Sequence, residues 1–93
     1  MEISYDAGKR AMVLEERGLD FEDAAYVFAG PRYTAADDRR EYGEMRFQTY
    51  GLLDDRLVIV VWTPRDEARH IISMRKCNDR ERKRFEGKLD RSG

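Results

Sequence analysis

The chain of 93 residues carries a single cysteine, Cys77, and a single histidine, His70. One cysteine cannot close an internal disulfide, and neither residue has a partner at the spacing of a metal-ligand set, so no metal site or other cofactor is expected. No stretch approaches the roughly 18 apolar residues of a membrane helix, and no glycine-rich phosphate loop is present. Glu2 and Asp6 stand where a signal region would be basic and apolar. The expectation is a soluble cytoplasmic protein with no membrane partner. The length suits one domain, 1–93, burying roughly 60 to 65% of its unfolded surface.

Charge, by contrast, is abundant: 40% of residues are Asp, Glu, Lys or Arg, yet the net charge is only −1. The balance is segregated. Residues 1–64 carry 8 basic and 13 acidic groups, or −5, whereas residues 65–93 carry 10 and 6, or +4. A basic C-terminal third points to an anionic partner, nucleic acid above all. The alternative is a solvated charged helix.

Residues 2–5 alternate polar with apolar and lead into Asp6, a helix N-cap, so a short strand should feed a helix over Ala7 to Arg17 that Gly18 ends in a left-handed conformation. Asp20 caps a second helix, about Phe21 to Phe28, which Gly30-Pro31 stops. Period-two patterning then predicts strands at 32–35 and 44–52, with a turn at Asp54-Asp55; the continuous apolar run Leu57 to Thr63 fits a central strand covered on both faces, ended by Pro64, and Ala68 to Arg75 forms the last strand. Asn78, with Glu81 three residues on, caps a last helix reaching about Gly87. The expected fold is α+β: helices packed on one face of a mostly antiparallel sheet.

Strand alternation places Glu44, Arg46 and Gln48 on one face, and Arg69, Ile71, Ser73 and Arg75 on one face opposite His70, Ile72 and Met74. If the apolar faces lie under the helices, both polar sets meet on the open face. Three arginines beside a carboxylate have the parts needed to bind a phosphodiester and stabilise its extra-charged transition state. The competing reading is cross-strand pairing of Glu44 with an arginine. Arg80, Lys83 and Arg84 share a helical face that could track phosphates or pair with Glu81 and Glu86. His70, in the apolar register, reads as structural, Cys77 as packing and Trp62 as core. Tyr42 and Tyr50 are the candidates for stacking on bases.

Taken together the motifs resemble the BrnT family. The likeness runs over residues 3–86: Gly18-Leu19-Asp20-Phe21-Glu22-Asp23-Ala24-Ala25 with Val27-Phe28, Asp38-Arg39, Gly43-Glu44-Met45-Arg46, Gly51, and above all Arg69-His70-Ile71-Ile72-Ser73-Met74-Arg75-Lys76-Cys77 followed by Glu81-Arg82. Family members often have Lys-His-Gly where this chain has Glu16-Arg17-Gly18, and alanines at Met74 and Cys77.

The resemblance implies a RelE-like bacterial toxin: a metal-independent endoribonuclease held inactive by a BrnA-type ribbon-helix-helix antitoxin in a two-plus-two heterotetramer, which meets operator DNA only through the antitoxin. In that reading the RNA 2′-hydroxyl attacks the adjacent phosphate. Glu44, Arg46 and Arg75 are the candidate catalytic residues, Glu44 as base and the arginines as charge stabilisers. Arg69, Lys76, Arg80, Lys83 and Arg84 are the candidate RNA-binding residues. The general acid stays open between Lys9 and His70. A rival from another class is a non-catalytic module that binds RNA or protein, and the cationic face could equally serve the antitoxin.

Overall fold

The computed structural model describes residues 2–89. Its element order is β1 (Glu2–Tyr5), α1 (Ala7–Arg17), a 3-10 turn (Phe21–Asp23), α2 (Ala24–Ala29), β2 (Arg32–Ala36), β3 (Phe47–Leu53), β4 (Arg56–Arg65), β5 (Ala68–Lys76) and α3 (Asp79–Phe85), which runs on into a 3-10 turn at Glu86–Lys88. The five strands form one sheet in the order β1-β5-β4-β3-β2, antiparallel except for the β1–β5 pair.

Local chemistry accounts for the element ends. The Asp6 carboxylate accepts the Lys9 N–H at 2.9 Å, and Gly18, at φ 69°, donates its N–H to the Leu14 carbonyl. Asp20 caps the next turn through the Glu22 N–H and also receives two hydrogen bonds from Arg10. That second helix begins with its 3-10 turn rather than a full α-turn. The β3–β4 and β4–β5 hairpins turn on Asp54-Asp55 and Asp66-Glu67, all four at positive φ, as two-residue turns that match the twist of the strands require.

Three departures from the sequence reading bear on the site. β3 begins at Phe47 instead of 44, so Glu44 and Arg46 sit in the loop before it. β4 continues past Pro64 to Arg65. Its pairing with β3 stops at Trp62, so at Pro64 only β5 lies alongside and the missing N–H costs no bond to β3. The third difference is a bulge in β5. Val61 pairs with Ser73 and Trp62 with Ile71, leaving Ile72 unpaired.

The main core lies between the sheet and the α1–α2 hairpin. Val13, Leu19, Phe21, Ala24, Val27 and Phe28 meet Val58, Val60, Trp62, Ile71 and Met74 there. Trp62 donates its indole N–H to Thr49 Oγ1 at 2.8 Å, which satisfies both buried groups. The opposite face was expected to be open. Instead the C-terminal segment covers one end of it: Phe85 stacks on Tyr50 with ring centroids 4.1 Å apart and on Tyr33 at 5.8 Å, and Leu89 joins Leu57 and Ile59. The apolar residues at the end of α3 have no other surface to cover, so helices lie on both faces of the sheet. Tyr50, only 6% exposed under Phe85, is therefore closed to base stacking.

Candidate functional site

The bulge at Ile72 decides which side chains share a face. An unpaired residue resets the alternation, so Arg69 and Ile71 point to the α1–α2 side together with Met74. His70, Ile72, Ser73 and Arg75 point to the other. The uninterrupted register of Arg69, Ile71, Ser73 and Arg75 expected from sequence does not form. Arg69 lies with its guanidinium 4.1 Å from the Phe28 ring and 5.4 Å from Trp62, on the helix side. Lys76 is on that side too, at the far end, beside Leu19, Leu53 and Val58.

What the open face holds instead is a cleft of about 300 Å3 floored by Gln48, Ile59, Val61, Ile72 and Ser73 and ringed by Arg17, Arg39, Arg40, Arg46 and Arg75, with Tyr42 at its rim. The cations arrive by three routes, from α1, from the loop before β3 and from β5. β1 pairs only with Ala68–Ile71 of β5, and α1 follows it past the rest of the edge. Arg17, in the last turn of α1, thus reaches round to donate to the Met74 carbonyl at 2.9 Å and to Ser73 Oγ at 3.3 Å. Arg46 lies under Tyr42, 4.0 Å from its ring centroid.

The loop carrying Arg39 to Arg46 is anchored by Asp37. Its carboxylate, fully buried, takes a forked ion pair from Arg39 at 2.7 and 2.8 Å, and its N–H donates to the Arg46 carbonyl at 2.8 Å, extending the β2–β3 ladder by one step. The Arg39 hydrogen bonds hold the Asp37 carboxyl below the usual carboxylate range.

Carboxylates at the rim neutralise part of this charge. Glu44 accepts from Arg46 at 3.1 Å and from Arg65 at 3.2 Å, and these contacts, Arg46 foremost, hold its pKa below the ordinary value. Glu44 is thus ionised at neutral pH but is a weak base. The cross-strand reading of Glu44 is correct in kind, since it does pair with arginines. Arg75 is forked onto Glu81 at 2.8 and 2.5 Å. Among the described residues Arg17 and Arg40 have no carboxylate partner, so the cleft keeps a positive excess.

His70 flanks this region. Its Nδ1 lies 2.9 Å from Ser4 Oγ on β1, and burial, then Arg65, lowers its pKa while Glu44 opposes. A neutral imidazole at pH 7 suits a proton acceptor better than a donor. Cys77 is half-buried, its thiol pushed up to about 11 by desolvation, so it stays protonated. Arg80, Lys83 and Arg84 stand exposed along α3 without ion pairs among the described residues, although Arg84 lies over the Phe85 ring.

A family model described as ribonuclease toxin, BrnT, of type II toxin-antitoxin system matches residues 5–81. The chain belongs to the BrnT family. No curated protein matches it. In this BrnT chain the matched span takes in the cleft entire, from Arg17 to Arg75, together with Glu81. Sequence reasoning did not place Arg17, Arg39, Arg40 or Ser4 at the site, because they lie far from Arg75 in sequence and carry no periodic signal. Only the unfinished β1 edge and the Asp37 anchor bring them in. No helix among the described residues is long and apolar enough to cross a membrane.

Proposed function

We propose that this protein is a cytoplasmic, metal-independent endoribonuclease toxin, one RelE-like domain over 1–93, that cuts RNA at the arginine-ringed cleft and so halts translation and growth. The observation that carries the reading is the cleft itself: five guanidinium groups around an uncharged floor, in a chain of a ribonuclease toxin family. Planar guanidinium forks match phosphate oxygens two at a time, and in a partly dry cleft their charge is screened less than at an open surface.

In the proposed reaction the 2′-oxygen bonds to phosphorus, its proton passes to a base, the bond from phosphorus to the 5′-oxygen breaks, and the departing 5′-oxygen takes a proton from water or a general acid, leaving a 2′,3′-cyclic phosphate and a 5′-hydroxyl. Arg46 and Arg75 stabilise the added charge on the phosphoryl oxygens, joined by Arg17. Glu44 remains the candidate base. Its depressed pKa favours a supporting role for His70, which the bulge brings to the same face. Arg80, Lys83 and Arg84 extend the cationic surface along α3 toward flanking phosphates. Arg69 and Lys76, on the other side of the sheet, are left out of this set.

Control by a BrnA-type ribbon-helix-helix antitoxin, in a two-plus-two complex that contacts operator DNA through the antitoxin, belongs to the same proposal. The rival, a non-catalytic RNA- or protein-binding module, is favoured by the fact that Arg46 and Arg75 are both already paired with carboxylates. Induced expression with mapping of RNA 5′ ends separates the two. The proposal expects growth arrest and new 5′-hydroxyl ends within minutes, both reversed by co-expressing the adjacent antitoxin gene. Arrest without new ends supports the rival.

A further inference from the structure

The arginine cleft does not use the most unusual cation in the fold. Arg69 occupies the floor of a second cleft, of about 620 Å3, on the opposite side of the sheet between α2 and β1. Its walls are Ile3, Ala25, Phe28 and Ala29, with Glu2 on the rim. The guanidinium sits against the rings of Phe28 and Trp62, and its Nε is buried without any hydrogen-bond partner among the described residues. Among the described residues no carboxylate pairs with it, Glu2 included. The neighbouring charge is another cation, Arg32, whose Nη1 donates to the Phe28 and Gly30 carbonyls. Burial lowers the Arg69 pKa.

A guanidinium in apolar surroundings with an unsatisfied donor and a like charge beside it lowers stability, and a fold would not ordinarily keep it without a counter-charge. The described residues supply none within ion-pair distance, which leaves the half-buried guanidinium free to take a counter-charge from a partner. Beside the cleft, α2 turns outward Ala25, Ala29 and Tyr26, the last 69% exposed, with no charged side chain among the three. A single forked donor between aromatic rings, bordered by small apolar residues, fits one carboxylate followed by apolar side chains. It fits a nucleic-acid backbone poorly, because evenly spaced phosphates call for several exposed cations.

We propose that the Arg69 cleft is the seat of an acidic side chain of the protein antitoxin, whose flanking apolar residues lie along Ala25, Tyr26 and Ala29. The inference rests on the toxin-antitoxin reading above and adds to it a docking point on the face away from the RNA cleft. The antitoxin then holds the toxin by a site that catalysis does not need.

The test uses the cognate antitoxin, titrated calorimetrically onto the purified full chain, with RNA cleavage measured on the same samples. Arg69→Met removes the fork at similar bulk, and Ala29→Glu places a competing carboxylate on the rim while leaving Arg69 in place. Each should weaken antitoxin binding by roughly 30-fold or more, and Ala29→Glu should cut RNA at the wild-type rate. Arg69→Met should melt no lower than wild type when alone, because it removes a desolvated charge. If Ala29→Glu binds the antitoxin as tightly as wild type, the inference is overturned whatever Arg69→Met does. It is equally overturned if Arg69→Met weakens RNA binding and not antitoxin binding. Loss of antitoxin binding in both variants, with a wild-type chain that never cuts RNA, upholds the docking site and removes the ribonuclease reading. Wild-type cleavage with undisturbed antitoxin binding does the reverse.

Discussion

Arg75 and Glu81 are joined by two parallel N–H···O bonds, and the same Glu81 carboxylate accepts the Asn78 N–H that closes the capping box of α3. The residue proposed to stabilise the transition state is thus held by the helix that follows it, and a phosphate must displace Glu81 or share Arg75 with it. The two partners should respond in opposite directions. Arg75→Ala should lower the RNA cleavage rate by about 100-fold or more, the scale seen when one preorganised charge-stabilising donor is lost, while shifting Tm by only a few degrees. Glu81→Gln keeps an acceptor for the cap but releases Arg75 from its counter-charge, and should bind RNA several-fold more tightly in a filter or anisotropy assay. Weaker binding by Glu81→Gln contradicts the account, since it means that Glu81 positions Arg75 and does not compete for it.

The Asp37 anchor makes a pH-dependent prediction. Its folded pKa is depressed, chiefly by Arg39, so the stability it contributes is present above the unfolded carboxylate value of about 3.9 and is lost as pH falls through the lower folded value. Asp37→Asn should therefore melt well below wild type at pH 7, with a cost of about 1–3 kcal/mol for a broken buried ion pair. The gap should narrow progressively below about pH 4. Thermal unfolding of both proteins between pH 3 and 7 measures this. A gap of constant size across that range removes ionised Asp37 as the source.

Gly51 is fixed by close approach. A Cβ there would lie 2.6 Å from Val27 Cγ1 and 3.3 Å from the Pro31 carbonyl. Gly51→Ala should cost about 1–3 kcal/mol, or roughly 5–15 °C in Tm for a domain of this size. Trimming the opposing methyls with Val27→Ala should recover part of the loss, so the double variant should be more stable than the sum of the two single changes predicts. Strict additivity of the two places the strain elsewhere.

Much of the fold was legible because its signals are local. The Asp6 and Asn78 caps, Gly18, the turn at Asp54-Asp55 and the apolar run of β4 each state their element within a few residues, and the structure has them there. The faces of β5 were not legible, because one unpaired residue, Ile72, reverses the side on which Arg69 and His70 emerge and leaves no trace in the residue types. The expectation of one open face failed for a related reason. Phe85 and Leu89 are ordinary apolar residues in a basic helix and its tail, and only their contact with Tyr50 and Ile59 reveals that they close the sheet. Within the cleft, alternation singled out Arg46 and Arg75 although Arg46 lies in the loop before β3 and the bulge breaks the β5 register, whereas Arg17 depends on where β1 stops, which alternation does not record.

The central claim is that the arginine cleft cuts RNA by attack of a 2′-hydroxyl without a metal. Its most direct test is cleavage of a short RNA by the purified chain in excess chelator, beside the same RNA with a single 2′-deoxy nucleotide at the cut site. The account predicts cleavage of the first to a 2′,3′-cyclic phosphate and a 5′-hydroxyl, and an intact bond at that position in the second. Cleavage only when a divalent cation is restored, or equal cleavage of the deoxy-substituted strand, would contradict it.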